Sequence, residues 1–322
     1  MSTQPAVQPV AMSTDVQTAV TLAAIAYADE IIEPNIKHLL GETSLATGGD
    51  WDLVWGPHKK ETNQAFMVKK KGAEEYALAI RGTVFDDLFS WLIDFELELE
   101  DLPWSCGSSG AKISDGMVKA WKHITTMPDL GTKLPDVLKG LPAGASLVVT
   151  GHSQGGAVAS VMATWAQQER TDITVLPYTF AGETAGNDGF AALVETLFGT
   201  SAGGRFVNPN DVVPFGFGNL TDLPGLYKSV GVIMPPLAAA AVATLIASLS
   251  GDDYTQPLDA TVMPNAAIYP PNPHPAKRDP DDEFAEEVIA QHDHLRYVWS
   301  TGAPTAALNQ GTAYEPPAHL DH

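Results

Sequence analysis

Between Ser146 and Gly156 the chain reads Ser-Leu-Val-Val-Thr-Gly-His-Ser-Gln-Gly-Gly, an apolar strand running directly into a helix. Leu147, Val148 and Val149 form the strand. Ala157, Val158, Val161, Met162 and Trp165 then recur at helical spacing. Ser153 stands between Gly151 and Gly155, the spacing of a nucleophile elbow. Such a turn forces its central residue into a sparsely populated backbone conformation, which lifts the hydroxyl clear of the sheet. Side chains two residues to either side would collide, and glycine removes the collision. The helix that follows points its amino-terminal end, with its partial positive charge, at the serine. Glycine-serine patterns also occur by chance in loops. The flanking strand and helix make this one the signature of a nucleophile.

A chain of 322 residues with 44% apolar and 18% charged residues can bury one sizeable core. It is read as a single domain, 1–322, with insertions. The net charge of −21 argues against nucleic acid and against electrostatic attachment to anionic lipid. Cys106 is the only cysteine, which excludes an intrachain disulfide and a cysteine-rich metal site. The apolar run Ala19 to Ala28 follows Asp15 rather than a basic start, so it reads as an amphipathic helix and not a secretory signal. That leaves two localisations open: the cytoplasm, or secretion by a route without a cleaved signal.

Residues 1–14 read as a loose terminus and 303–322 as a tail. A helix is expected from Val16 to Ala28. Strands are expected at Trp51–Trp55, Ala65–Val68 and Tyr76–Ile80, the last two joined through a turn at Gly72. Phe85, Leu88, Phe89, Trp91 and Leu92 crowd the stretch 84–95, whose spacing suits a short aromatic helix that either packs as core or covers a site as a lid. A helix over Gly116–Thr126, a strand over Ile173–Phe180, a helix over Phe190–Leu197 and a strand at Arg205–Asn208 complete an alternating pattern. That alternation predicts an α/β fold, a mainly parallel central sheet with helices on both faces. In such sheets the site lies beyond the carboxyl ends of the strands, where Thr83, Ser153 and Asp211 fall. Residues 219–280 break the rhythm as a helical insertion. Its charge-free Leu237–Leu249 run is short for the roughly 20 residues a bilayer requires. It is expected to be a buried or partly buried helix, with an interface-dipping element as the alternative, and no transmembrane anchor is expected.

A serine hydroxyl is a weak nucleophile near neutral pH and needs a base within hydrogen-bond reach. Histidine suits the task, and a carboxylate must hold its second nitrogen. Downstream of Ser153, Asp211 follows a strand and His294 follows an acidic helix, in the order serine, acid, histidine. His274, His292, His319 and His322 are rivals, and His292 is the strongest of them. An oxyanion hole needs two donors, expected at Gln154, the residue after the nucleophile, and at Thr83 on an earlier strand end.

These residues resemble the class 3, fungal-type lipases of the α/β-hydrolase superfamily. Arg81-Gly82-Thr83 is similar to that family's oxyanion strand end, and Trp91-Leu-Ile-Asp94 to its lid. Gly116-Met-Val-Lys-Ala-Trp121 resembles its glycine-aromatic helix start, with Met117 where an aromatic is usual. Gly151-His-Ser-Gln-Gly155 resembles its elbow. Thr179 to Asn187 resembles its Thr-Phe-Gly-x-Pro-Arg-x-Gly-Asn, with Glu183-Thr184 in place of the usual middle. Val207-Asn-Pro-Asn-Asp211-Val-Val-Pro214 is similar to the segment bearing the acid. Asp293-His294-Leu-Arg-Tyr297 is similar to the segment bearing the base, which favours His294 over His292. The long insertion between Asp211 and His294 departs from the family pattern.

The resemblance implies a serine ester hydrolase acting on acylglycerols through Ser153, Asp211 and His294, without cofactor or metal. Phospholipase A-type cleavage and small-ester hydrolysis are the nearer alternatives. A non-catalytic lipid-binding protein and an acyltransferase are the alternatives of another class. Phe85, Phe89, Trp91, His152, Phe215 and Leu295 are the expected substrate contacts, with lipid or ester substrate at a lipid–water interface as the partner.

Overall fold

A computed structural model of the chain describes residues 11–28, 32–60, 63–82, 97–104, 110–129, 131–249, 253–264, 280–311 and 314. Its centre is a seven-stranded sheet in the order β1–β2–β3–β8–β9–β10–β11. The strands are β1 (Trp51–Lys60), β2 (Asn63–Lys70), β3 (Glu75–Ile80), β8 (Ser146–His152), β9 (Thr174–Phe180), β10 (Gly204–Val207) and β11 (Ala260–Val262). β1, β2 and β3 pair antiparallel. From β3 through β8, β9 and β10 to β11 every pairing is parallel. Two small ribbons flank the sheet, β4 (Leu99–Asp101) with β5 (Lys112–Ser114) and β6 (Pro128–Asp129) with β7 (Thr132–Lys133).

The sheet buries both faces, and strand alternation decides which residue meets which layer. Leu78, Ile80, Leu147 and Val149 face one layer, built from α3 (Asp115–Thr126), α4 (Leu134–Gly140), α5 (Gln154–Glu169) and α6 (Asp188–Phe198). Ala77 and Ala79 face the other, built from α1 (Thr14–Ile25) and α2 (Ile32–Gly41), while Phe180 packs with α1 and with α9 (His294–Ser300). Each fully buried aliphatic side chain contributes about 1.5–3 kcal/mol. The expected α/β architecture is therefore present, with a mixed rather than wholly parallel sheet. α3 begins where expected because Ser114 caps it, its hydroxyl accepting from Met117 N at 3.3 Å.

α5 is buried along most of its length, from Gly155 to Ala166. Its first turn carries only glycine and alanine after Gln154. A Cβ at Gly155 would strike the Ile80 carbonyl and lie 2.8 Å from the backbone of Arg81 and Gly82, so the helix start can approach the sheet only with glycine there.

Within the 219–280 stretch, short 3-10 turns lead into α7 (Pro236–Ser248), and Ala260–Val262 returns to the sheet as edge strand β11. Of α7 only Ala238 and Val242 are buried, and Leu237 is 81% exposed. The charge-free run is thus a partly buried helix, with Ala238, Val242 and Leu249 packed in a core cluster and Leu237 on the surface. After it, α8 (Pro280–His292) runs to the edge of the site, and α9 starts two residues later. Part of the 303–322 tail is packed, with Ala303 and Thr305 buried. The stretch 84–95, expected as core or lid, with Phe85, Phe89 and Trp91, and also Thr83, lies outside the described residues.

Candidate active site

Ser153 sits at the end of β8 with φ 60° and ψ −137°, the strained backbone that the Gly151–Gly155 spacing predicts. Its amide donates to Phe180 O at 3.0 Å, so β9 fixes the turn from one side. From the other side Gly82 closes in. A Cβ there would meet Ser153 Cβ at 2.8 Å and collide with the Tyr27 hydroxyl and the His152 carbonyl. The strand end at Gly82 therefore abuts the nucleophile. Gln154, the other expected donor, is the first residue of α5.

The imidazole beside Ser153 is that of His292. Its Nε2 lies 2.8 Å from Ser153 Oγ, and its Nδ1 lies 2.8 Å from Asp211 Oδ2. With Nδ1–H donating to the carboxylate, Nε2 is left as the acceptor for the serine proton. Asp211 is held on both oxygens. Oδ2 also accepts from the Tyr297 hydroxyl at 2.7 Å, and Oδ1 accepts from Val213 N at 2.9 Å. Tyr297 is aligned in turn by the Asn208 amide at 3.0 Å. Asn208 Nδ2 donates to Gln291 O and Oε1, which ties the acid's loop to the last turn of α8. Ser153 and Asp211 are fully buried and His292 is 5% exposed.

The fold does not bring His294, the expected base, to Ser153; it brings His292. α8 ends at His292, and Asp293 leaves the helical conformation at φ −55°, ψ 127° to cap α9, its carboxylate accepting from Leu295 N at 2.8 Å. The break turns the two histidines in different directions. His292 projects toward Ser153. The His294 ring stacks on Tyr27 at 4.5 Å and 9°, with Nδ1 3.5 Å from Asp293 Oδ1.

Of the other expected contacts, His152 is buried behind the triad, its ring 4.7 Å from that of His292 and 4.9 Å from that of Tyr297. Its Nδ1 lies 3.1 Å from the Tyr27 hydroxyl. Burial, then the neighbouring charges of His292 and His294, hold its pKa well below the usual histidine range. His152 thus stays neutral when His292 takes a proton. Phe215 is half-buried and packs with Val212, Val213 and the 220–249 segment, and Leu295 is buried on α9. Neither is shown against Ser153.

Tyr27, Asn208 and Tyr297 were not among the expected site residues. Only their types could have flagged them, as buried tyrosine and asparagine near an expected acid. Glu183 was noticed as a departure from the family pattern, without a role. It is 2% exposed, neither carboxyl oxygen has a hydrogen-bond partner, and burial raises its pKa to about 8. No group of histidine, cysteine, aspartate or glutamate among the described residues could hold a metal ion.

A strained serine between strand and helix, with a histidine and a buried aspartate in one hydrogen-bonded line, defines a serine hydrolase on the α/β-hydrolase fold. Residues 77–220 match the model of the class 3 lipases. Over that stretch the chain is similar to that family. It is 25% identical to a secreted mono- and diacylglycerol lipase of Fusarium solani over 72% of this chain and 69% of that protein. Its fold is similar to that of the M37 lipase crystal structure, with a TM-score of 0.76, 23% identity, and coverage of 93% of this chain and 97% of that one. The lipase of Rhizopus microsporus var. chinensis aligns at 22% identity over 62% of this chain and 67% of its own, with a TM-score of 0.48. No described helix is long and apolar enough to cross a membrane.

Proposed function

We propose that the chain hydrolyses carboxylic esters of acylglycerols at a lipid–water interface, with Ser153 as nucleophile and His292 as general base. The observation that carries this reading is the unbroken line from Ser153 Oγ through His292 to Asp211, both links at 2.8 Å. Ser153 Oγ attacks the acyl carbonyl while His292 Nε2 takes its proton. Asp211 holds the imidazole in the required tautomer and stabilises the imidazolium. The oxyanion is met by the backbone amide of Gln154 and by Thr83, and loss of one such donor costs about 3–4 kcal/mol. His292 then protonates the departing glyceride oxygen, leaving an acyl-Ser153 ester. Water activated by the same histidine releases the fatty acid and restores the serine.

Two observations support an interfacial substrate. Ser153 is wholly buried, so substrate reaches it only after the covering residues move. Beyond the site, Ile233 and Leu237 are 68% and 81% exposed on and before a helix with no charged residue, an apolar surface suited to an acyl phase. The Fusarium relative's activity on mono- and diacylglycerols and its secretion are extended to this chain on its 25% identity. Rates on tributanoylglycerol below and above its solubility limit, beside diacylglycerol, phospholipid and short soluble esters, test the reading. A rise on aggregation with glycerides preferred supports it. Equal rates on dissolved and aggregated ester, or preference for phospholipid, count against it.

A further inference from the structure

Ser153 and Asp211 lie beyond the carboxyl ends of the strands. Where β3, β8 and β9 begin, a separate cavity of about 390 Å³ opens between α1, the loop 46–51 and the sheet. That volume falls in the range of small-molecule sites, roughly 300–1,000 Å³. Leu22, Val148, Leu176 and Trp51 give it an apolar floor. Three carboxylates border it and one ammonium. Lys70 Nζ is committed to Glu75 Oε2 at 2.8 Å. Asp15 and Asp50 are exposed, and neither forms an ion pair among the described residues.

A second observation points to a ligand. Tyr178 lines the cavity and is 2% exposed, yet its hydroxyl makes no hydrogen bond among the described residues. That hydroxyl is open to the cavity, where a bound donor or acceptor can pair with it. Burial and then the charge of Asp15 hold the Tyr178 proton above the ordinary phenol range, so the carboxylate and the hydroxyl act on the same space. The surplus negative charge does not fit a metal ion, because no metal-holding group exists among the described residues. An apolar floor, an aromatic wall, unpaired carboxylates and a free phenol oxygen together match an ammonium group on an apolar body.

We propose that this cavity binds a protonated organic amine with a compact apolar body, its N–H groups shared between Asp15, Asp50 and the Tyr178 hydroxyl. The probe is benzylammonium chloride, titrated calorimetrically into the full chain at moderate salt, which screens general attraction to the −21 charge. One saturable site is expected. Affinity should fall at least tenfold in Asp15→Asn/Asp50→Asn and in Tyr178→Phe, and be unchanged after Ser153 is blocked by a fluorophosphonate. The two aspartates are exposed, so the double variant should melt as the parent does and keep its esterase activity. Unsaturable binding, equal affinity in the double variant, loss on blocking Ser153, or equal binding of uncharged benzyl alcohol would each overturn the proposal.

Discussion

Tyr27 lies with its ring flat against that of His294, 4.5 Å between centroids and 9° between planes. The contact seats His294 on the Tyr27 ring, whose hydroxyl lies against His152. His152 lies between the two other imidazoles, its ring 4.7 Å from that of His292 and 6.3 Å from that of His294. His294→Ala is expected to lower kcat less than tenfold and to cost about 0.5–1.5 kcal/mol of stability, the magnitude of a lost aromatic pair. Kinetics on a soluble ester together with a urea melt would check both.

Asp211 is buried, and its Oδ2 is shared by His292 and Tyr297. Tyr297→Phe leaves the ring packed but removes one donor from a buried carboxylate, a change of about 1–3 kcal/mol. Asp211 then holds His292 with one fewer restraint. We expect kcat to fall by roughly tenfold with KM little changed, because the positioning matters most when the imidazolium forms. An unchanged kcat would show that Val213 N alone suffices to fix the acid.

Glu183 gives stability a pH dependence whose sign is fixed. Its folded pKa of about 8 lies above the unfolded value of 4.5. The folded state therefore holds the proton more tightly, and the contribution is complete below pH 4.5. It is lost as pH rises through about 8, by roughly 5 kcal/mol in all. Glu183→Gln keeps the shape and cannot ionise. The parent's melting temperature should fall between pH 5 and 9, and the variant's should fall markedly less. Parallel slopes would mean the carboxyl is not the titrating group.

Gly82→Ala introduces a methyl where the Tyr27 hydroxyl, the His152 carbonyl and Ser153 Cβ already meet. Two of those three are fixed by the elbow. The variant is expected to lose more than about 2 kcal/mol of stability and most of its activity, read by melting and by ester hydrolysis. Gly72→Ala, at an open turn with nothing within 4 Å, serves as the comparison, since it carries only the strain of its positive φ.

The elbow was legible in the sequence because steric need restricts it: Gly151, Ser153 and Gly155 admit few substitutes, and the strand and helix beside them have clear periodicities. Asp211 was legible for the same reason, as a carboxylate at a strand end. The base was not. His292 and His294 differ by two residues, and which one faces the serine depends on where α8 stops and how Asp293 turns the chain into α9. Helix ends are set by capping and tertiary contact rather than by pattern, so motif similarity pointed to His294 where the fold brings His292 to Ser153. The packing partners Tyr27, Asn208 and Tyr297 lie far apart in sequence and meet only through the fold. Which side of α7 packs was hidden too, because a charge-free run carries no polar face to mark the solvent side.

The most direct test is the rate at which Ser153 is labelled by a fluorophosphonate, measured by mass spectrometry in the parent, His292→Ala and His294→Ala. Labelling requires an activated serine but no lipid surface. The geometry predicts rapid, single-site labelling of the parent and of His294→Ala, and a rate at least about a hundredfold lower in His292→Ala. Loss of labelling in His294→Ala with retention in His292→Ala would contradict it.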